Sequence, residues 1–203
     1  KSLAQTIQAM TQKDGVVRGG AAVVVGVGSG EVLAMASYPT YNLSTFDQDY
    51  SKLVSDTVGT PLLNRAIGGA YAPGSTFKPC TAVALESGII TPSSTIVDRG
   101  VYDYYKSPQP RCWIYNEYGG THGRVNVSQA ITVSCNYFFY EVGRLTGIKT
   151  LASYAKQFGL GEYTGIEIGG PGSAEAKGSM ATPEFAEAEH LEWTDGQTLT
   201  AAI

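Results

Sequence analysis

Pro73-Gly74-Ser75-Thr76-Phe77-Lys78 places a serine directly after a turn-forming Pro-Gly pair and a lysine three residues further on. Three residues is about one helical turn, so the two side chains share one face. A serine hydroxyl is a poor nucleophile until a base takes its proton. A lysine one turn away can be that base if its surroundings keep it neutral. Gly74 allows a tight approach into the helix. Ser75 then falls in the first turn, where unpaired N–H groups and the helix dipole favour negative charge. The apolar run Thr81-Ala82-Val83-Ala84-Leu85 that follows predicts a buried helix, ending near Gly88, which would desolvate Lys78.

The spacing alone is weak evidence, because Ser153-Tyr154-Ala155-Lys156 repeats it. That copy sits inside an amphipathic pattern, with Leu151, Tyr154, Ala155 and Phe158 on one face and Gly159 as the stop. Nothing there starts a helix at the serine, so Ser153 and Lys156 read as solvated surface residues.

Composition narrows the classes. The chain has 203 residues, enough for one large domain or two small lobes, with 43% hydrophobic and 16% charged residues. A net charge of −4 and a pI near 5.2 argue against nucleic acid as a partner. The longest apolar run, Ala21 to Val25, is strand-sized and far short of a membrane span. Lys1 is not an initiator methionine and no signal peptide is visible, so the chain reads as an excised piece. Cys80, Cys112 and Cys135 show no metal-binding spacing, and neither metal nor cofactor is expected. Cys80 reads as a buried thiol, and a Cys112–Cys135 bridge stays open. His122 and His190 read as surface or loop residues.

Working outward, residues 3–13 form a short amphipathic pattern. Ala21 to Val27 and Glu31 to Ser37 are strand-like and joined by Gly28-Ser29-Gly30, a hairpin signal. The dinucleotide fingerprint fails because Glu31 stands where its last glycine belongs, and Ser75 stands where a P-loop needs lysine. Tyr38 to Pro61 reads as a polar loop region. Residues 98–123, rich in Tyr, Gly and Pro, could line a groove for a peptide or sugar, but read more readily as an irregular excursion with its aromatics packed beneath it. Asn126 to Val133, Tyr137 to Leu145 and Lys149 to Phe158 read as helices. The acidic stretch from Pro183 to Asp195 reads as a solvated face. The sequons at Asn42 and Asn126 carry no weight.

Ser134-Cys135-Asn136 lies between two helical patterns. Its hydroxyl could relay a proton to a leaving amine, and its amide could hold Lys78 or a substrate carbonyl. The competing reading is plain helix capping by Ser134 or Asn136. The pair Ser-x-x-Lys then Ser-x-Asn resembles the signature of penicillin-recognising serine enzymes. Residues 70–79 and Ser134 to Phe139 resemble segments of class B penicillin-binding proteins, as do Gly20 to Pro39, Phe158 to Gly161 and Thr164 to Ile166. The resemblance spans nearly the whole chain. It implies an α/β fold of the α+β type, with an antiparallel sheet flanked by helices, a helical lobe, and a sheet left incomplete. Residues 1–203 would be the N-terminal portion of a single transpeptidase domain.

The resemblance implies a D,D-transpeptidase that crosslinks peptidoglycan stem peptides through a serine acyl-enzyme and is acylated by β-lactams. Ser75 would be the nucleophile, Lys78 the acylation base, Ser134 the proton relay and Asn136 the group positioning Lys78 and the substrate amide. The backbone N–H of Ser75 would be one oxyanion donor. The parent protein would be membrane-anchored on the extracytoplasmic face with cell-wall synthesis partners. The family's third motif, Lys-Thr-Gly or Lys-Ser-Gly, is not found; Lys149-Thr150-Leu151 lacks the glycine. Bringing a lysine from about 10.4 to near 8 costs roughly 3 kcal/mol, and the missing cation would help. The chain alone is therefore expected to be weakly active or inactive, with an exposed sheet edge. A β-lactam sensor, a D,D-carboxypeptidase, a β-lactamase and a non-enzymatic scaffold remain as alternatives.

Overall fold

The computed structural model describes residues 1–16, 19–168 and 175–203. The chain divides into two compact units, 1–71 with 163–177, and 72–162 with 178–203. In the first unit, α1 (Ser2–Asp14) ends at Gly15 in the left-handed conformation. It precedes the antiparallel hairpin of β1 (Gly20–Val25) and β2 (Val32–Tyr38). The register pairs Gly20 with Tyr38 and Val23 with Met35, with an irregularity at Val24/Val25 near the turn. Ile7 of α1 is buried, and a Cβ on Gly20 would lie 2.7 Å from its Cδ1. The missing side chain at Gly20 thus lets helix and hairpin meet.

Tyr38 to Pro61 is not wholly loop: α2 (Phe46–Ser55) occupies it. Asp47 and Asp49 stand in its first turn, where they suit the helix dipole, and Phe46 and Tyr50 meet edge-on one turn apart. The short α3 (Arg65–Gly68) follows, capped by the Asn64 side chain, which accepts from Ala66 N. Arg65 is buried and donates to the carbonyls of Thr60 (3.1 Å) and Gly59 (2.6 Å). Its charge is spread over backbone acceptors, which is how a buried guanidinium avoids an uncompensated desolvation cost.

In the second unit, a 3-10 turn (Gly74–Phe77) leads into α4 (Lys78–Val83), and a further 3-10 turn (Ala84–Ser87) closes at Gly88 with φ 78°. β3 (Ile96–Asp98) and β4 (Gly123–Val125) pair antiparallel, and α5 (Trp113–Tyr118) lies between them in sequence. The excursion of residues 98–123 is therefore partly regular. Tyr102 packs beneath it, whereas Tyr104 and Tyr118 are exposed. Next come α6 (Val127–Thr132), α7 (Asn136–Thr146) and α8 (Ile148–Gln157), close to the expected spans. The acidic stretch contains α9 (Pro183–Ala188) and the start of α10 (Asp195–Thr200).

α7 is the spine of the core. Phe138, Phe139 and Val142 are at most 1% exposed and cluster with Tyr102, Cys112, Val125, Ala130, Cys135 and Leu199. The expected combination of helices with antiparallel strands is present, the strands among the described residues forming two separate two-stranded sheets rather than one. No helix among the described residues is long and apolar enough to cross a membrane.

Candidate active site and a buried ligand cluster

Gly74 takes φ 55°, a left-handed value that favours glycine. This turn carries the chain into the 3-10 segment where Ser75 is solvent-exposed. In a 3-10 turn residues three apart eclipse one another, so Ser75 and Lys78 come off one side. Phe77 turns into the core on the other and is buried.

Lys78 is only 2% exposed. Its Nζ donates to the Ser134 carbonyl at 2.8 Å, to Ser134 Oγ at 2.9 Å and to Asn136 Oδ1 at 2.5 Å. The Phe139 ring lies 5.7 Å away. Three donors meet three acceptors, so an ammonium here is fully satisfied. Burial nevertheless lowers the lysine pKa, against a smaller upward pull from Cys112 and Cys135. Ser134 Oγ lies 3.1 Å from Ser75 Oγ. An unbroken chain thus runs from the exposed serine to the buried lysine through a second hydroxyl.

Ser134 holds φ 50°, which is uncommon for a residue with a side chain. The capping alternative fails here: the N-cap of α7 is Cys135, whose Sγ accepts from Phe138 N at 3.5 Å. Ser134 and Asn136 turn to Lys78 instead. All four residues expected from the sequence, Ser75, Lys78, Ser134 and Asn136, are therefore brought together. The second Ser-x-x-Lys is not part of this site: Ser153 and Lys156 are exposed on α8, and Lys156 pairs with Glu162 at 3.2 Å.

The structure also corrects the sequence reading of Cys80 and His122, while His190 is exposed as expected. Cys80 is only partly buried, not a core thiol. His122 is no surface residue: its side chain is 6% exposed, and Nδ1 lies 2.8 Å from Asp98 Oδ2 and 3.4 Å from Cys112 Sγ. Cys112 and Cys135 are fully buried free thiols with sulfurs 4.0 Å apart, and Cys135 Sγ lies 3.6 Å from Asp98 Oδ2. One ligand atom from each of Asp98, Cys112, His122 and Cys135 lies within 4.8 Å of the other three.

Four N, O and S atoms placed tetrahedrally around zinc at its usual bond lengths lie about 3.3–3.8 Å from one another. The observed separations bracket that range, and the donor set suits a thiophilic cation. His122 Nε2 is buried and has no hydrogen-bond partner among the described residues, so it is the nitrogen left to carry the proton when Nδ1 is a ligand. These four residues thus fit a cation, a donor set that the sequence reading did not anticipate. A motif scan misses it because the ligands are scattered over residues 98–135.

Hydrogen bonds and burial set the protonation of the cluster. Burial pushes the Asp98 pKa up, but hydrogen bonds from the backbone N–H groups of His122 and Gly100 and from the side chains of His122 and Cys112 outweigh it and lower the carboxyl. The thiol pair shares its proton unequally. A hydrogen bond from Cys135 lowers Cys112 to about 6, whereas Cys135 is pushed up by that contact and by burial.

A separate groove of about 440 Å³ in the first unit, with Met35, Tyr41, Leu63 and Asn64 among its lining, has no carboxylate, lysine or histidine in that lining.

The family described as the penicillin binding protein transpeptidase domain matches residues 20–201. The chain belongs to this family. The penicillin-binding protein relatives include the peptidoglycan D,D-transpeptidase MrdA of Escherichia coli K12, 37% identical over 90% of this chain and 29% of that protein. The MrdA of Acinetobacter baumannii is 32% identical over 100% of this chain and 30% of that protein. Among solved structures, Pseudomonas aeruginosa PBP2 in complex with WCK 5153 matches with a TM-score of 0.76 at 32% identity, over 98% of this chain and 45% of that one. PBP2 from Helicobacter pylori matches with a TM-score of 0.79 at 28% identity, over 100% of this chain and 37% of that one. The chain thus spans under a third of the length of these curated penicillin-binding protein relatives.

Proposed function

We propose that this chain carries the acylation site of a peptidoglycan D,D-transpeptidase. The observation that supports it best is the connected path Ser75 Oγ–Ser134 Oγ–Lys78 Nζ, with separations of 3.1 and 2.9 Å. In this reading Ser75 Oγ attacks the carbonyl between two terminal D-alanines of a stem peptide. An oxygen–carbon bond forms, the peptide C–N bond breaks, and the terminal D-alanine leaves. The Ser75 proton passes through Ser134 to neutral Lys78 during attack and returns along the same path to the departing amine. The amine of a neighbouring stem peptide then attacks the acyl-enzyme, regenerating the serine and forming the crosslink. Asn136 holds Lys78 through Oδ1 and its amide also bonds the Tyr140 hydroxyl, so one amide N–H is left to meet a substrate carbonyl. The backbone N–H of Ser75 serves as an oxyanion donor.

The parent protein, in this reading, works at the extracytoplasmic face of the bacterial membrane on peptidoglycan stem peptides. β-Lactams acylate the same serine. A Helicobacter pylori relative has been solved in complex with MreC, and a protein partner of that kind fits the parent's setting.

The test is intact mass of the full-length protein after incubation with a penicillin. One adduct per chain that disappears in Ser75→Ala is the expected result. An adduct that survives Ser75→Ala would sink the nucleophile assignment. An adduct lost within minutes would move the reading to a β-lactamase. With a stem-peptide donor and an amine acceptor, crosslinked product separates a transpeptidase from a D,D-carboxypeptidase, which yields only the shortened peptide.

A further inference from the structure

The cluster of Asp98, Cys112, His122 and Cys135 contains two thiols, and two thiols in van der Waals contact have a second chemistry open to them. We infer that Cys112 and Cys135 form a redox-modifiable pair that either shares a zinc-type cation or joins as a disulfide, and that exchange between the two states moves the Ser134–Asn136 turn.

The geometry gives three supports. The sulfurs are 4.0 Å apart and neither residue is exposed. Each cysteine heads a helix: Cys112 is the N-cap of α5 and Cys135 the N-cap of α7. Their backbones are pinned, since Cys112 N donates to Gly100 O at 2.7 Å and Cys135 N to Ala130 O at 2.8 Å. A disulfide needs its sulfurs about 2.05 Å apart, so closure requires an approach of about 2 Å. An approach made by Cys135 draws its Sγ off Phe138 N, its capping contact at 3.5 Å. Residues 134 and 136, on either side, supply every acceptor that the structure gives to Lys78 Nζ. A shift at Cys135 is therefore transmitted to the lysine cradle through one peptide bond in each direction.

The two states exclude one another because both use the same sulfur electrons. A cation held by four ligands keeps the buried site shut, and a buried thiol reacts only when its surroundings open. Zinc should therefore protect the pair. The oxidant is a low-molecular-weight disulfide, RSSR. From the metal-bound state, two thiolates give up two electrons and form the Cys112–Cys135 bond. RSSR takes those electrons with two protons from solvent, yielding two RSH, and Zn²⁺ is released. From the metal-free state the two protons come from the thiols. The inference stands on four side chains and goes beyond the acyl-transfer reading; penicillin labelling of Ser75, scored separately, distinguishes failure of one from failure of the other.

The experiment takes the full-length protein, reduced and loaded with Zn²⁺, and challenges it with oxidised glutathione. Released zinc is read with a colorimetric chelator, and the linkage by mass spectrometry of a non-reduced digest. The expected result is one zinc released per Cys112–Cys135 disulfide formed. Cys80 takes no part, and dithiothreitol with Zn²⁺ reverses the change. Excess Zn²⁺ should slow disulfide formation at least tenfold, and the oxidised form should be acylated by penicillin at least tenfold more slowly. Cys80→Ser should behave as wild type, and Cys112→Ser should lose the linkage. The proposal is overturned if disulfide forms at the same rate with and without Zn²⁺, if zinc leaves without a Cys112–Cys135 linkage, if the protein takes up no zinc, or if both forms are acylated equally fast. Circular dichroism of the two forms, expected to be alike, excludes unfolding as the cause of slower acylation; a collapse of helical signal on oxidation also counts against the proposal.

Discussion

Lys78 sits where two demands conflict. Three acceptors reward its charge, and burial penalises it; burial is the larger effect, and the pKa falls below the ordinary 10.5. The sign of the consequence is fixed. Between the lowered folded value and the unfolded value the unfolded chain binds the extra proton, so stability rises with pH in that window. It levels off above 10.5 and, below the folded value, at a plateau diminished by the cost of burying a charge. Acylation should rise over the same approach, as the fraction of neutral Lys78 grows. Stopped-flow acylation by a chromogenic β-lactam from pH 6 to 10 should show one ascending limb, and Lys78→Met should remove it while lowering the rate by about 10²–10⁴. A flat profile in the unmodified protein would exclude Lys78 as the base. Ser75 and Lys78 were legible in the sequence because their relation is local: Pro-Gly, one turn, and an apolar run. The conformation of Ser134, with φ 50°, was not. Neither was the fate of His122, because its partner Asp98 lies 24 residues away at the end of β3 and no short window contains both.

At the scale of elements, α7 does two jobs. Its N-terminus sets the Lys78 acceptors and its body fills the core, so whatever moves α7 reaches the site. Gly143 packs against residues 198–202: a Cβ there would lie 2.6 Å from Ala202 Cβ and 3.2 Å from the Thr198 carbonyl. Alanine at a helix interior gains up to about 1 kcal/mol over glycine. Overpacking against neighbouring backbone costs about 1–3 kcal/mol, so the clash should win. Gly143→Ala should lower the urea midpoint, corresponding to a net loss of about 1–2 kcal/mol, and slow acylation. Gly28→Ala, whose Cβ would meet nothing within 4 Å, is the control. The helices from α6 to α8 were readable because apolar periodicity over 6–11 residues is a strong signal and Gly147 punctuates it. β3 and β4 were not, since three residues each are too few to show alternation. α2 was missed although Asp47 and Asp49 announce its first turn; its short, largely polar sequence has no buried residue to give it a face.

For the polypeptide as a whole, the exposed face of the first unit matters most. Among the described residues β1 and β2 pair only with each other, so each strand has an unpaired edge. Val24 is 53% and Leu33 65% exposed, and neither edge carries a lysine or proline to discourage a partner. Unpaired N–H and C=O groups beside apolar side chains form a template for strand addition. Opposing this is a net charge of −4, which salt at 0.15 M screens beyond about 8 Å. Repulsion that weak does not offset a row of edge hydrogen bonds with its apolar flank, so this 203-residue polypeptide should self-associate as its concentration rises. Sedimentation equilibrium should show a weight-average mass climbing above 21.5 kDa in the micromolar range. Val24→Lys with Leu33→Lys should hold it near the monomer value, because a charge on the strand must be desolvated when a second strand docks. Lowering the salt should act in the same direction on the unmodified chain, but less strongly. A wild-type mass that stays at the monomer value at every concentration would show that the hairpin edges, exposed as they are, are too twisted or too short to recruit a partner.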